Sequence, residues 1–97
     1  MNAYYAQEII TDVTYLLGTH PGPIKDRLQQ AAPHILPLSQ GDLPNYLLAD
    51  FERIRQRLTR VASAPGEGPF GASIEAMTEA EAIQLAKDFF GLASNLS

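Results

Sequence analysis

Residues 42 to 61 read DLPNYLLADFERIRQRLTRV. Leu47, Phe51, Ile54, Leu58 and Val61 recur in it at alternating intervals of four and three, which places them on one face of an α-helix. Asp42 is a residue type that caps helix N-termini and Pro44 suits a first turn, so the spacing predicts one amphipathic helix from Asp42 to Val61. The same winding gathers Arg53, Arg57 and Arg60 on one flank and sends Arg55 towards the other. Asp50 stands three positions before Arg53 and Glu52 three before Arg55, the spacing of ordinary exposed ion pairs.

Those arginines raise the question of nucleic acid. A helix that grips a phosphate backbone needs several cations on one face, because its binding free energy comes from neutralising phosphates and releasing counterions. Here Asp42, Asp50 and Glu52 share the stretch with the arginines, and the chain as a whole carries a net charge of −4. The arginines therefore read as the solvated side of a core helix. An acidic chain is expected to prefer a basic partner over nucleic acid or an anionic membrane.

Upstream, Tyr5, Ile9, Val13, Leu16 and Leu17 give residues 3 to 17 helical periodicity, with Glu8, Thr11 and Asp12 opposite. Gly18 is the expected stop, because glycine reaches the left-handed backbone that closes helices and the following THPGP cannot continue one. The next stretch, PIKDRLQQAAPHILPL, puts Pro23 in a first turn and Ile24, Leu28 and Ala31 or Ala32 on one side. Pro33 is expected to end or kink that helix near Ala32, leaving a bent extension whose Ile35, Leu36 and Leu38 seek burial.

Downstream, SAPGEGPFG (residues 63 to 71) is too short to separate domains and reads as a loop between antiparallel helices. A short helical turn, ASIEAM, follows with Ser73 as its expected cap. Thr78 and Glu81 then form a capping-box pattern that opens the last helix. Its apolar face is Ala82, Leu85, Ala86, Phe89, Leu92 and Ala93, with Leu96 one turn on. Ile83 and Phe90 widen that face, so this helix is expected either at the centre of a bundle or against a partner on a second side. No strand-like alternation of useful length and no repeat occurs. With 97 residues, 45% of them hydrophobic, the expectation is one domain spanning 1–97, an all-α antiparallel bundle of four to five helices. A core of this size allows a monomer and leaves a homodimer open.

Chemistry leaves little linear trace. The chain has no cysteine, which excludes disulfides, a thiolate nucleophile and a thiolate zinc site. His20 and His34 are its only histidines, and neither has a second histidine or a carboxylate at helical spacing, so no metal site is expected. GEGPFG follows a helix and lacks the lysine of a phosphate loop, and no nucleophile stands beside a base; no catalytic residue or cofactor is expected. The N-terminal MNAYYAQEIITDVTYLLG has no basic leader and interrupts its apolar run with Glu8 and Asp12, so neither a signal peptide nor a membrane span is expected and the cytoplasm is the expected compartment. Tyr4 and Tyr46 read as half-buried residues or as anchors for a protein partner. Glu79 and Glu81 sit where a helix macrodipole favours acids in any case.

The closing GASIEAMTEAEAIQLAKDFFGLASNL, with the DLP…FERI…LT helix and the glycine-containing loop before it, resembles the small all-helical immunity proteins with which bacteria neutralise polymorphic or secretion-delivered toxins. Asp42, Leu43, Pro44, Phe51, Ile54, Leu58, Thr59, Ile74, Met77, Ala86 and Leu92 carry the resemblance, mainly core and capping positions in about the last 55 residues. It implies a cytoplasmic, non-catalytic inhibitor without a cofactor, which occludes a toxin's active site or holds the toxin inactive. The implied partner is a toxin domain with a basic surface, onto which an acidic inhibitor is steered quickly. The acidic loop and helix start, with Glu67, Glu75, Glu79 and Glu81, are the expected contact surface. Two other classes share these features. One is a helical regulator that sequesters a transcription factor or a defence component; the other is a DNA-binding regulator, which needs Arg53, Arg57 and Arg60 on one continuous positive face.

Overall fold

The computed structural model describes residues 3 to 66 and 68 to 96. Within them lie five helices: α1 (Ala3–Thr19), α2 (Ile24–Ala31), α3 (Leu48–Leu58), α4 (Gly71–Ala76) and α5 (Glu79–Leu96). Three 3-10 turns, Ala32–Ile35, Gln40–Asp42 and Asn45–Leu47, bridge α2 to α3, and there is no strand among the described residues. The protein is an all-α bundle, as the periodicity predicts.

Helix α5 is its centre, packing against α1, α2 and α3. Ala82, Leu85, Ala86, Phe89 and Leu92 are buried on it, with Ala93 and Leu96 packed half-buried alongside. Its start is the predicted capping box: the Thr78 N–H donates to Glu81 Oε1 at 2.9 Å and the Glu81 N–H to Thr78 Oγ1 at 3.1 Å. On α3, Phe51, Ile54 and Leu58 are buried as the four-three spacing requires, and Leu47 just ahead of it is buried too. Cross-links fix α3 antiparallel to α5, because Tyr46 meets Asn95, Arg57 meets Asp88 and Arg60 meets Glu81.

Several sequence expectations are corrected. Asp42 does not cap α3; its carboxylate accepts from the N–H and hydroxyl of Ser39 at 3.0 and 3.1 Å and closes the Gln40–Asp42 turn. Leu43 is then extended, Pro44 precedes another 3-10 turn, and α3 begins only at Leu48. At the other end the helix stops at Leu58, where the Thr59 hydroxyl donates back to the Arg55 carbonyl at 2.8 Å. Val61 therefore leaves the helical face and is 39% exposed. On α1 the buried line is Ala6, Ile10, Val13 and Leu17, with Tyr5, Ile9 and Leu16 half-buried beside it, so the core face is rotated by about one residue from the predicted one. Gly18 continues that helix; the left-handed glycine is Gly22, at φ 109°, in the turn that leads to α2. Pro33 breaks α2 where expected and buries Ile35 and Leu38, but Leu36 points out.

Ser73 is no cap either. It lies inside α4, which starts at Gly71, and among the described residues it is the buried polar side chain of the core. Its hydroxyl accepts from the Val61 N–H at 2.8 Å and donates to the Val61 carbonyl at 3.0 Å. Beside it the Ala72 N–H donates to the Ser63 hydroxyl at 3.2 Å, and Phe70 is buried under the loop end. These contacts fasten the base of the connection from α3 to α4. No helix among the described residues is long and apolar enough to cross a membrane.

Candidate protein-docking surface

Which charged groups the fold uses decides which it leaves over. The cations of α3 are largely committed. Arg53 pairs with Asp50, Arg57 reaches across to Asp88, and Arg60, beyond the helix end, lies 3.5 Å from Glu81. Arg55 has its guanidinium over the Phe51 ring, 5.8 Å from the centroid, a cation–π arrangement, while Glu52 accepts from Gln40 instead of meeting Arg55. The predicted flank of Arg53, Arg57 and Arg60 is thus neutralised residue by residue.

The carboxylates divide differently. Asp42, Asp50, Glu52, Glu81 and Asp88 each have a hydrogen-bond or ion-pair partner. Glu81 is held below the ordinary glutamate range, first by the backbone N–H of Thr78, then by the Thr78 hydroxyl and the charge of Arg60. Glu8, Asp12, Asp26, Glu75 and Glu79 have no side-chain partner among the described residues. Two of these, Glu8 and Asp12, lie along the outer side of α1 near Tyr4 and Thr11.

The other three surround a single hollow of about 480 Å³ between the start of α2 and the junction of α4 with α5. Its apolar lining is Pro23, Ile24 and Met77, and Asp26, Glu75 and Glu79 edge it. Two cross-links hold α2 antiparallel to α4 and so shape it: Lys25 Nζ donates to the Glu75 carbonyl at 2.9 Å, and Gln29 Nε2 to the Gly71 carbonyl at 3.2 Å. Met77 is extended between the two helices, which lets the chain turn from α4 into α5 around the hollow.

Of the acids expected at the contact surface, Glu75 and Glu79 are exposed and brought together here. Glu81 is turned to Thr78 and Arg60 and is spent on structure. Glu67 lies outside the described residues. Asp26 is the residue that sequence reading missed; only its place in the first turn of α2 was legible, since its neighbours at the hollow are some fifty positions away. A second hollow, about 620 Å³ between Ser39–Gly41 and α3, is crossed by the Gln40–Glu52 hydrogen bond.

Exposed apolar groups stand elsewhere. Tyr4 and Tyr15 project from α1, and Tyr46 is 71% exposed with its hydroxyl donating to the Asn95 carbonyl at 3.2 Å. Ile83 and Phe90 are 40% and 47% exposed although α5 is central, so that helix is at once the core of the bundle and in part its surface. His20 Nδ1 lies 2.9 Å from the Pro21 carbonyl, and no group of three or more potential metal ligands gathers among the described residues. Compared with protein-family models, with curated proteins and with solved structures, the chain matches none.

Proposed function

We propose that this chain is a non-catalytic inhibitor that binds and neutralises a bacterial toxin by protein–protein contact, in the manner of the immunity proteins its C-terminal half resembles. The observation that supports this reading is the division of charge. Three of the four arginines of the α3 stretch, Arg53, Arg57 and Arg60, are paired with carboxylates and Arg55 lies over Phe51, whereas five carboxylates face solvent without a partner among the described residues. A surface left negative in this way attracts a basic protein and speeds the encounter, and it repels a phosphate backbone. The paired arginines likewise weigh against a DNA-binding regulator, which needs them free.

A tagged chain used as bait in the native host, followed by mass spectrometry, tests the proposal when joined to a growth assay. The expected result is a near-stoichiometric partner that arrests growth when expressed alone and is silenced by co-expression of this chain. Recovery of a transcription factor or defence component, with no toxic protein, would move the function to sequestration of a regulator. Recovery of nothing would overturn the inhibitor reading.

A further inference from the structure

We propose that the hollow between α2 and the α4–α5 junction is where the partner docks, and that it takes a basic segment with one large aliphatic side chain set between lysines or arginines. This rests on the reading of the chain as a binder of a basic protein, and adds where and by what chemistry it binds. The aliphatic group would lie against Ile24, Met77 and Pro23, and the flanking cations would meet Asp26, Glu75 and Glu79. A space of about 480 Å³ accommodates one such side chain with its adjoining backbone.

Charge complementarity names the occupant. Three carboxylates without side-chain partners among the described residues edge this hollow against one ammonium, Lys25, which donates to the Glu75 backbone carbonyl and keeps its charge, so the rim is net negative. Local structure accounts for two of the acids, because Asp26 is in the first turn of α2 and Glu79 opens α5, where the helix macrodipole welcomes negative charge. It does not account for Glu75. That residue is in the last turn of α4, where the dipole disfavours an acid, and its carboxylate forms no ion pair with Lys25, whose ammonium lies on the Glu75 backbone carbonyl. Glu75 is thus an exposed carboxylate without an ion-pair partner among the described residues, at the rim of the hollow. A cation brought by a partner would find this carboxylate free to pair. Neither the hollow crossed by Gln40 and Glu52 nor the Tyr4–Asp12 side of α1 combines an apolar lining with three free charges of one sign.

The test needs no knowledge of the natural partner. The ¹⁵N-labelled full chain is titrated with the peptide acetyl-Lys-Arg-Leu-Arg-Lys-amide at about 20 mM salt, where surface charges act over distances comparable to this site. The expected amide shifts centre on Ile24, Lys25, Asp26, Glu75, Met77 and Glu79. Replacing the peptide's leucine by serine should weaken binding about fivefold through lost apolar burial. The triple variant D26N/E75Q/E79Q should weaken it about tenfold, since each exposed pair contributes a factor of roughly two to three. The variant E8Q/D12N, which removes acids from α1, should change it less than twofold. Thermal unfolding of both variants verifies that they fold, and E75Q alone, at a position the dipole disfavours, should not lower stability. Shifts centred on α1, equal binding of the serine peptide, or an unchanged triple variant would each overturn the proposal. The two readings fail separately. If the peptide maps to the hollow but no toxin is neutralised, the docking site stands without the inhibitor; if D26N/E75Q/E79Q neutralises a toxin as well as the natural chain does, the inhibitor stands without this site.

Discussion

Replacing Ser73 by alanine removes a single oxygen and tests how the α3–α4 connection is held. Ser73 is 3% exposed, and its hydroxyl both accepts from the Val61 N–H and donates to the Val61 carbonyl. Each such hydrogen bond contributes about 1 kcal/mol net, and a backbone group left without its partner loses at least that much unless water reaches it. The Val61 side chain is partly exposed, which lets water reach some of the vacated space, so the expected loss is about 2 kcal/mol rather than the sum of two full desolvation penalties. For a domain of this length that lowers Tm by roughly 8 to 16 °C. Ser63→Ala is the internal reference. It removes one acceptor, for the Ala72 N–H, in a half-buried setting, and should cost about 0.5 to 1 kcal/mol. Urea unfolding followed by circular dichroism measures both, with an unchanged m-value showing that the unfolded states are comparable. Hydrogen exchange adds a local readout: the Val61 amide should lose protection in S73A beyond the global loss of stability. A cost below about 0.5 kcal/mol for S73A, or one equal to that of S63A, would refute the view that this hydroxyl is the fastening of the loop.

Leu43→Ala should cost about 2 to 5 kcal/mol, because Leu43 is buried, while Val61→Ala should stay within about 0.5 kcal/mol; the reverse order in denaturant unfolding would restore the uninterrupted helix that the periodicity predicts. In double-mutant cycles, Arg57 with Asp88, whose side chains are about one-quarter exposed, should couple by about 1 kcal/mol, and Arg53 with Asp50, more open to water, by less than about 0.5. Glu81 contributes an acid-dependent share of stability. Because its folded-state pKa is depressed, the contribution is present above the unfolded value and fades as pH falls through the ordinary glutamate range and below it. E81Q should therefore be destabilised relative to the natural chain at neutral pH, with the difference in Tm closing in acid; a gap that widens in acid would contradict the assignment.

What the sequence made legible was local. Thr78 and Glu81 are three residues apart and need nothing else to form their capping box, so that helix start was readable from four letters. The four-three spacing of Leu47, Phe51, Ile54 and Leu58 likewise reports one helix face. Errors arose where two local solutions competed. Asp42 could cap forward onto a helix or close back onto Ser39, and it closes back, aided by the extended backbone of Leu43. At the far end the period still pointed to Val61, but the Thr59 hydroxyl took the Arg55 carbonyl and the chain left the helix. The candidate site divides in the same way. Glu75 and Glu79 were grouped because they are close in sequence. Asp26 was not, because its approach depends on α2 lying beside α4, fixed by contacts between residues 50 and 42 positions apart.

Two arginines of the stretch that looked like a nucleic-acid signal, Arg57 and Arg60, are better understood as setting the register of α3 against α5. Phe51, Ile54 and Leu58 fill the inside of the α3–α5 contact, and apolar packing of that kind tolerates sliding, since dispersion and burial are not directional. Paired charges do not tolerate it. Moving α5 by one helical turn, about 5.4 Å, would carry Asp88 away from Arg57 and Glu81 away from Arg60 together, leaving Arg57 partly buried without a counter-charge. The same seam ends with Tyr46 on the Asn95 carbonyl, so one edge of the pair is pinned along most of α5. With Arg53, Arg57 and Arg60 each paired to a carboxylate, the acids left over among the described residues are on α1 and around the α2–α4–α5 hollow. The 11 acids outnumber the 7 lysines and arginines, so one-to-one pairing cannot use them all; the pairing along α3 decides only where the unpaired ones stand.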